Sequence, residues 1–562
     1  MRWRSKERLS RPYWSMRRGL FKSMGYSDYD LDRPLIGIAN SWNTVVSGHY
    51  NLKQVAQSVR RGIDQAGGTP VEFGVIGGCD GLADGGKSAR YMLPSRSLIA
   101  DSVEMMVEAH HLDGVVLLGS CDKIVPGMLM AAARLDLPSI LIVGGPSPGG
   151  CRFDGRASDN TSLNEALPML EAGTIDEETF RELEDNSMPG CGSCSMLGTA
   201  NSMCCIAEAM GMSLPGSAVI PASQARRFQA AQATGRQIVS MVKKGLTARQ
   251  IITPKSIENA IRVMAAIGGS TNVALHIPAI AYEACVDMDL DLFDSLSRAT
   301  PWIARINPSG PADVSDFHDA GGVPAVMKEI LPLLQGDALT VTGKTIAENV
   351  AMAGSKNSEI IRTLEDPWEF RGGLAVLRGN LAPEGSIAKP SAIDPLHRTF
   401  TGTAHCFDSE IDATRASGQG EIKPGTVVVV RYEGPRGGPG MPEMYLAMKL
   451  LYGQGLALRT ALITDGRFSG SNNGCFVGHI SPEASQGGPI ALVRDKDTIT
   501  IDIPNGNLTL HVSEKELQAR REKWQPPEPK PEIQGYLNVY GRLAGSASKG
   551  AIITHRGESL ND

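Results

Sequence analysis

Gly119-Ser-Cys-Asp-Lys-Ile-Val-Pro-Gly127 directly follows the apolar run Asp113-Gly-Val-Val-Leu-Leu118. The apolar run predicts a buried strand, and the residues after the loop have the pattern of a helix. The loop therefore places a thiol (Cys121), a carboxylate (Asp122) and an amine (Lys123) at the carboxyl end of a strand, where ligand sites gather in open α/β sheets. Thiolates suit iron–sulfur clusters or zinc, whereas carboxylates suit magnesium. We therefore expect this loop to join a cluster to a divalent cation.

Apolar runs alternate with helical patterns through the N-terminal part of the chain. Strands that alternate with helices of this length predict a doubly wound parallel sheet. A mostly helical region continues to about residue 335, and a charged connector follows. We expect residues 1–372 to form one α/β domain with helical additions. The predicted strands are residues 34–40, 71–76, 113–118 and 138–143, and the predicted helices between them are residues 51–66 and 95–111.

The character of the chain changes beyond residue 373. Short β-like runs are separated there by Gly-rich loops, and a helix is predicted near the end. We expect residues 373–562 to form a second, β-rich and barrel-like domain. The predicted β-runs are residues 427–432, 461–464, 490–493 and 498–502, and the closing helix is residues 513–524.

Composition excludes several classes of protein. The formal net charge of −6 argues against a nucleic-acid surface, and no apolar run approaches the roughly 20 residues that span a bilayer. The basic N-terminus lacks the apolar segment of a secretory signal. The ten cysteines are therefore expected to be thiols, ligands or core residues rather than a disulfide framework, which predicts a reducing cytoplasm.

Cys191 and Cys194 form a C-x-x-C pair. Redox pairs and zinc sites also use this spacing, although a zinc ribbon would need a second such pair, which the sequence lacks. Together with Cys121 the pair gives three thiolates, which can hold a cluster while one iron stays open for substrate. The alternative is that these are ordinary buried thiols. Cys79 is a further candidate ligand.

Asp80 lies in the loop after the second predicted strand, and Asp122 in the loop after the third. Two such carboxylates can share a magnesium ion, or each can cap the turn that follows it. Glu443 is a third candidate from the second domain, where a lone loop glutamate is more often solvated. Ser469 follows a predicted strand among glycines, and it is either a turn former or, beside a cation, a base.

Seven motifs follow one another over nearly the whole chain. They are Asn40-Ser-Trp-Asn43, Ser95-Arg-Ser-Leu-Ile-Ala-Asp-Ser102, Cys121-Asp-Lys-Ile-Val-Pro-Gly127, Cys191-Gly-Ser-Cys194, Gly268-Gly-Ser-Thr-Asn272, Arg431-Tyr-Glu-Gly-Pro-Arg-Gly-Gly-Pro-Gly-Met-Pro-Glu443 and Thr464-Asp-Gly-Arg-Phe-Ser-Gly470. Together they resemble the dihydroxy-acid dehydratase/phosphogluconate dehydratase family of iron–sulfur enzymes. The resemblance implies a two-domain enzyme whose active site lies between the domains.

The resemblance implies that Cys121, Cys191 and Cys194 hold an iron–sulfur cluster. Members with a 2Fe–2S cluster place a cysteine in the loop after Asn40-Ser-Trp-Asn43, but that loop reads Thr-Val-Val-Ser-Gly-His here. This difference favours a 4Fe–4S cluster, or leaves Cys79 as a substitute ligand.

The resemblance also implies a magnesium site formed by Asp80, Asp122 and Glu443. Lys123 matches a lysine that is carbamylated in some members, which would turn an amine into an anionic oxygen ligand. Ser469 matches the base proposed for the family.

The implied activity is dehydration of a 2,3-dihydroxy carboxylic acid to a 2-keto acid in branched-chain amino-acid biosynthesis. The alternative substrate is an aldonic acid such as gluconate, xylonate or arabinonate. A hypothesis of another class is a non-catalytic iron–sulfur or zinc protein, which would need the thiolates but not the carboxylates or Ser469. The resemblance further implies a homodimer or homotetramer.

Overall fold

The structure is a computed structural model that describes residues 3–83, 85–468, 474–531 and 533–554. Its N-terminal part contains a four-stranded, fully parallel sheet of strand order β2-β1-β3-β4. Strands β1, β3 and β4 are buried along their whole length, and the edge strand β2 is only partly buried. The predicted parallel sheet is confirmed. Its strands are β1 (Leu35–Asn40), β2 (Thr69–Gly74), β3 (Gly114–Leu118) and β4 (Ser139–Ile142).

Helices surround this sheet and fill the chain up to the connector. Within the described ranges, no helix combines the length and the apolar character that crossing a lipid bilayer requires. The helices are α1 (Ser15–Ser23), α2 (Asp28–Leu31), α3 (Ser47–Tyr50), α4 (Leu52–Ala66), α5 (Gly86–Ala89), α6 (Met92–Ala109), α7 (Ile124–Leu135), α8 (Ser162–Glu171), α9 (Glu177–Asn186), α10 (Thr199–Ala209), α11 (Ala225–Lys244), α12 (Pro254–Ile267), α13 (Val273–Glu283), α14 (Leu290–Arg298), α15 (Val314–Asp319), α16 (Gly322–Glu329) and α17 (Ile346–Val350). A small hairpin of β5 (Arg152–Phe153) and β6 (Arg156–Ala157) precedes α8.

Helix α4 shows how the sequence pattern becomes packing. It ends at Gly67, whose φ of +82° is costly for residues with a Cβ atom. A Cβ atom at Gly62 would lie 2.0 Å from the carbonyl oxygen of Gln232 in α11, so the two helices meet backbone to backbone. Its buried apolar face consists of Leu52, Val55, Val59 and Ile63.

The C-terminal part is a closed eight-stranded barrel of strand order β10-β11-β12-β8-β7-β14-β13-β9. The predicted β-rich, barrel-like character is confirmed. Strand β7 begins at Ala375, and the domain boundary that we place at residue 373 stays a prediction. The strands are β7 (Ala375–Gly379), β8 (Ala382–Ala388), β9 (Thr399–Phe407), β10 (Thr426–Val430), β11 (Ala461–Thr464), β12 (Cys475–Ser481), β13 (Thr498–Asp502) and β14 (Asn507–Leu510), and the helices are α18 (Glu410–Gly418), α19 (Tyr445–Gly453), α20 (Glu514–Lys523) and α21 (Tyr536–Leu543).

One predicted strand is wrong. Residues 490–493 fall in a 3-10 helix, Pro489–Leu492, and its end. Proline fixes φ near the helical value and has no N–H to donate to a sheet, so Pro489 starts a turn. Ile490 and Leu492 are buried in the core of the barrel, which explains why so short an apolar run imitates a strand.

Candidate active site

The site begins at the carboxyl edge of the parallel sheet. Strands β2 and β3 both pair with β1 and run parallel to it, so the loops that follow them emerge at the same edge. Asp80 lies in the first of these loops, and Asp122 in the second. Glu443 comes from the barrel, in the loop between β10 and α19. One carboxylate oxygen of each of these three residues lies within 4.8 Å of the others, and the group can hold a metal ion.

Lys123 lies at the centre of these carboxylates. Its Nζ atom is 2.9 Å from Oδ1 of Asp80, 3.5 Å from Oε1 of Glu443 and 3.8 Å from Oδ2 of Asp122. The side chain is only 2 % exposed. A buried ammonium group is stable there because three carboxylates surround it.

Two further residues of the site are not singled out from the sequence. Nη1 of Arg467 donates to Oε1 of Glu443 at 2.7 Å, and Nδ2 of Asn272 donates to the same oxygen at 2.8 Å. The described hydrogen bonds to Glu443 all use Oε1. Both residues belong to motifs that carry the family resemblance, but a buried arginine or asparagine has no spacing pattern of its own.

The site favours an added positive charge. Burial raises the pKa of Asp122 to about 7, and the neighbouring Lys123 opposes that shift. Nη2 of the fully buried Arg467 lies 3.7 Å from Asp80 and has no hydrogen-bond partner among the residues that the structure describes. A bound divalent cation would stabilise the ionised carboxylates, and an oxygen ligand of that cation would find a donor in Arg467.

Sulfur atoms lie beside the carboxylates in the same cavity. The cavity has a volume of about 60 Å³, and Cys79, Cys121 and Cys194 line it together with the three carboxylates. The Cys79 and Cys121 thiols shift each other's pKa, downward for Cys79 and upward for Cys121. Cys191 is not among the described residues that line this cavity, so its role as a ligand stays a prediction.

The buried thiols are protonated without a metal. The neighbouring Cys79 thiol, together with burial, raises the pKa of Cys121 well above its ordinary value, and burial does the same for Cys194. Thiolates bind metals and thiols do not, so a metal must displace these protons. Soft sulfur and hard oxygen donors thus meet in one cavity, which fits a cluster beside a hard cation.

The loop after β1 fixes the position of Cys121. A Cβ atom at Gly48 would lie 2.7 Å from Sγ of Cys121. Nδ1 of His49 donates to the carbonyl oxygen of Ser41 at 2.8 Å, and Nε2 accepts from the backbone N–H of Cys121 at 3.3 Å. Burial lowers the pKa of His49 to about 4, so the ring is neutral and holds both backbone groups.

Ser469, the predicted base, lies outside the described residues. The preceding residue, Phe468, lies next to the site, because its carbonyl oxygen accepts a hydrogen bond from Nδ2 of Asn272 at 3.1 Å. Asn272 therefore links this segment to Glu443.

Both parts of the chain match known proteins. The family model described as dihydroxy-acid/6-phosphogluconate dehydratase N-terminal matches residues 33–349, and its C-terminal counterpart matches residues 359–551. The chain is 50 % identical over 547 residues to a dihydroxy-acid dehydratase of Ignicoccus hospitalis, covering 97 % of this chain and 99 % of that relative. Proteins of the same name from Acetivibrio thermocellus and Pyrococcus furiosus are 49 % and 48 % identical, each covering 96 % of this chain and 97 % of the relative.

Proposed function

Because the chain belongs to the dihydroxy-acid/6-phosphogluconate dehydratase family, we propose that it removes water from a 2,3-dihydroxy carboxylic acid to give a 2-keto acid. The chain is thus a hydro-lyase. One observation supports this proposal most directly: Asp80, Asp122 and Glu443 converge beside a cavity lined by cysteines. This donor set suits the two kinds of metal centre that such a dehydratase needs.

The protein residues fit an iron–sulfur cluster and a magnesium ion. Cys121 and Cys194 are proposed cluster ligands, and the third thiolate is Cys191 by resemblance or Cys79 by position. When bound, the two centres supply Lewis acidity toward the hydroxyl and carboxylate oxygens of the substrate. We propose that the side-chain nitrogen of Lys123 is carbamylated. The carbamate would supply an anionic oxygen ligand in place of the ammonium group.

The remaining residues orient these ligands and move a proton. Arg467 and Asn272 hold Oε1 of Glu443 in one orientation. We propose that Ser469, as its alkoxide, takes the proton from C2 of the substrate while the C3 hydroxyl leaves as hydroxide. Return of that proton from Ser469 to the hydroxide gives water and restores the alkoxide. A serine hydroxyl has too high an ordinary pKa for this role, so nearby positive charge must activate it. The resulting enol then tautomerises to the 2-keto acid.

The cavity wall favours a branched-chain acid over a sugar acid. Ala89, Met196 and Ala200 present apolar groups beside the metal ligands, and Asn160 and Thr161 are polar. An alkyl branch can pack against the apolar groups, whereas the several hydroxyl groups of a sugar acid would compete for the few polar partners that the wall offers. We therefore propose 2,3-dihydroxyisovalerate and its homologue as substrates, in branched-chain amino-acid biosynthesis.

A substrate panel tests this proposal. Anaerobically purified protein is given dihydroxyisovalerate, gluconate, xylonate or arabinonate, and keto-acid formation is measured. We expect turnover of dihydroxyisovalerate, and turnover of only a sugar acid would assign the alternative substrate class. Colour from a cluster without turnover on any of these acids would support the non-catalytic alternative.

The base is tested separately by Ser469→Ala, with Ser471→Ala as the matched control. We expect Ser469→Ala to lose turnover while it binds iron and magnesium like the wild type. A variant that keeps its activity would remove Ser469 from the mechanism.

Assembly and location stay predictions from the sequence. We propose a homodimer or homotetramer, which light scattering of the cluster-loaded protein would measure. We also propose a reducing cytoplasm, since free thiols at the site would oxidise elsewhere.

A further inference from the structure

We propose that Cys79 is the third thiolate ligand of the cluster, together with Cys121 and Cys194. The inference rests on the proposed function and specifies its metal centre. It departs from the C-x-x-C pattern, by which Cys191 would supply the third sulfur. Cys79 belongs to no C-x-x-C pair, because it is the single cysteine of the loop after β2.

The first observation is where the sulfur atoms lie. Cys79, Cys121 and Cys194 all line the cavity that the three carboxylates share. Within the described part of the chain, no fourth cysteine lines this cavity.

The second observation is a repeated pair of neighbours. Cys79 precedes Asp80 just as Cys121 precedes Asp122. Both pairs follow strands that flank β1 in the parallel sheet, so both emerge at the same edge. In each pair the aspartate belongs to the three-carboxylate cluster that can hold a metal ion, and the cysteine lines the cavity. Each loop is thus placed to give one sulfur to the cluster and one oxygen to the divalent cation.

The third observation concerns the loop that carries Cys191. Hydrogen bonds fix the backbone on both sides of this residue. Oγ of Ser147 donates to the carbonyl oxygen of Gly190 at 2.9 Å, and the N–H of Gly192 donates to the carbonyl oxygen of Ser47 at 3.2 Å. Even a Cβ atom at Gly192 would lie 2.2 Å from the backbone nitrogen of Ser147. These contacts hold the backbone on both sides of Cys191 in a position from which Cys191 does not line the cavity.

The loop after β1 offers no competing sulfur. It approaches Cys121 so closely that a Cβ atom at Gly48 would lie 2.7 Å from Sγ, and it contains no cysteine. Each of the three proposed thiols loses one proton to solvent as its sulfur bonds to iron, and no oxidant or reductant is required.

Serine variants of Cys79, Cys191 and the exposed Cys285 test the assignment. Each protein is reconstituted anaerobically with iron and sulfide, and bound iron, acid-labile sulfide and the Mössbauer spectrum are measured. We expect Cys79→Ser to hold about tenfold less iron after gel filtration in a chelator, whereas Cys191→Ser and Cys285→Ser match the wild type. Full iron content in Cys79→Ser, or loss of iron in Cys191→Ser, would overturn the assignment.

A measurement on the wild-type protein covers the case in which Cys79→Ser fails to fold. Apo and cluster-loaded protein are alkylated in a urea concentration that opens the apo protein, so that its buried thiols react, and the modified cysteines are identified by mass spectrometry. We expect the cluster to protect Cys79, Cys121 and Cys194 while Cys191 reacts in both forms; protection of Cys191 in place of Cys79 would reject the proposal. The alkylation pattern needs no turnover, so failure of the proposed function remains distinguishable from failure of the ligand assignment.

Discussion

Nζ of Lys123 lies 2.9 Å from Oδ1 of Asp80, at the centre of the three carboxylates. An ammonium at that point competes with a divalent cation, whereas a carbamate on the same nitrogen would bind one. We expect Lys123→Met to weaken magnesium binding by about tenfold or more, because an anionic ligand is lost. Titration calorimetry with and without bicarbonate measures this, with the exposed Lys515→Met as control. Tighter binding by Lys123→Met would show that the lysine only competes with the metal.

Arg467 is predicted to stabilise the fold as well as the site. Its guanidinium group is fully buried and paired with Glu443 at 2.7 Å. Removing one partner of a buried ion pair leaves an unpaired charge, so Arg467→Met should lower the free energy of unfolding by about 3 kcal/mol. Urea denaturation without metal measures the loss, and added magnesium should restore part of it. The exposed Arg459→Met is the control, and an equal loss in both variants would contradict the prediction.

Gly48 is predicted to be intolerant of a side chain. A Cβ atom there would meet Sγ of Cys121 at 2.7 Å and the backbone of Ser193 at 3.4 Å, so Gly48→Ala must displace the thiol. Moving a proposed cluster ligand by about 1 Å should lower kcat about tenfold to a hundredfold. Gly74→Ala is the matched control, because a Cβ atom at Gly74 has nothing within 4 Å. Unchanged kcat and iron content in Gly48→Ala would show that the thiol can move without loss.

Sequence predicts the first half of the site because topology places it. Asp80 and Asp122 each follow an apolar run, and parallel strands bring the ends of such runs to one edge. The parallel sheet follows from the alternation of strands and helices alone. The exact neighbours at the edge do not, because the order β2-β1-β3-β4 depends on long-range pairing.

The second half of the site has no local signal in the sequence. Glu443 lies beside Lys123 although it comes from the barrel, and a lone loop glutamate is a weak candidate without the family resemblance. Arg467 and Asn272 are buried polar residues whose role depends on partners far away in the chain. Residues 490–493 show the same limit for the fold, since a short apolar run fits a strand or a buried turn equally well.

The last prediction concerns acid stability and follows from the two hydrogen bonds of His49. A protonated ring could still donate to Ser41 but could no longer accept from the N–H of Cys121. Burial lowers the pKa of His49 from 6.5 to about 4 in the fold. The unfolded chain therefore binds more protons between these values, and stability that is present above pH 6.5 is lost as the pH falls toward 4.

We expect the wild type to lose about 2 kcal/mol more free energy of unfolding than His49→Asn between pH 7.5 and pH 5. Urea denaturation of the metal-free protein at the two pH values gives this difference. The free energy of unfolding of the variant should still fall with pH, because burial lowers the pKa of His479 to about 3 and also lowers the pKa of His276. Replacing the exposed His511 by Asn controls for the loss of any one imidazole. Parallel pH profiles for the wild type and His49→Asn would mean that His49 accepts a proton in the fold as readily as in the unfolded chain.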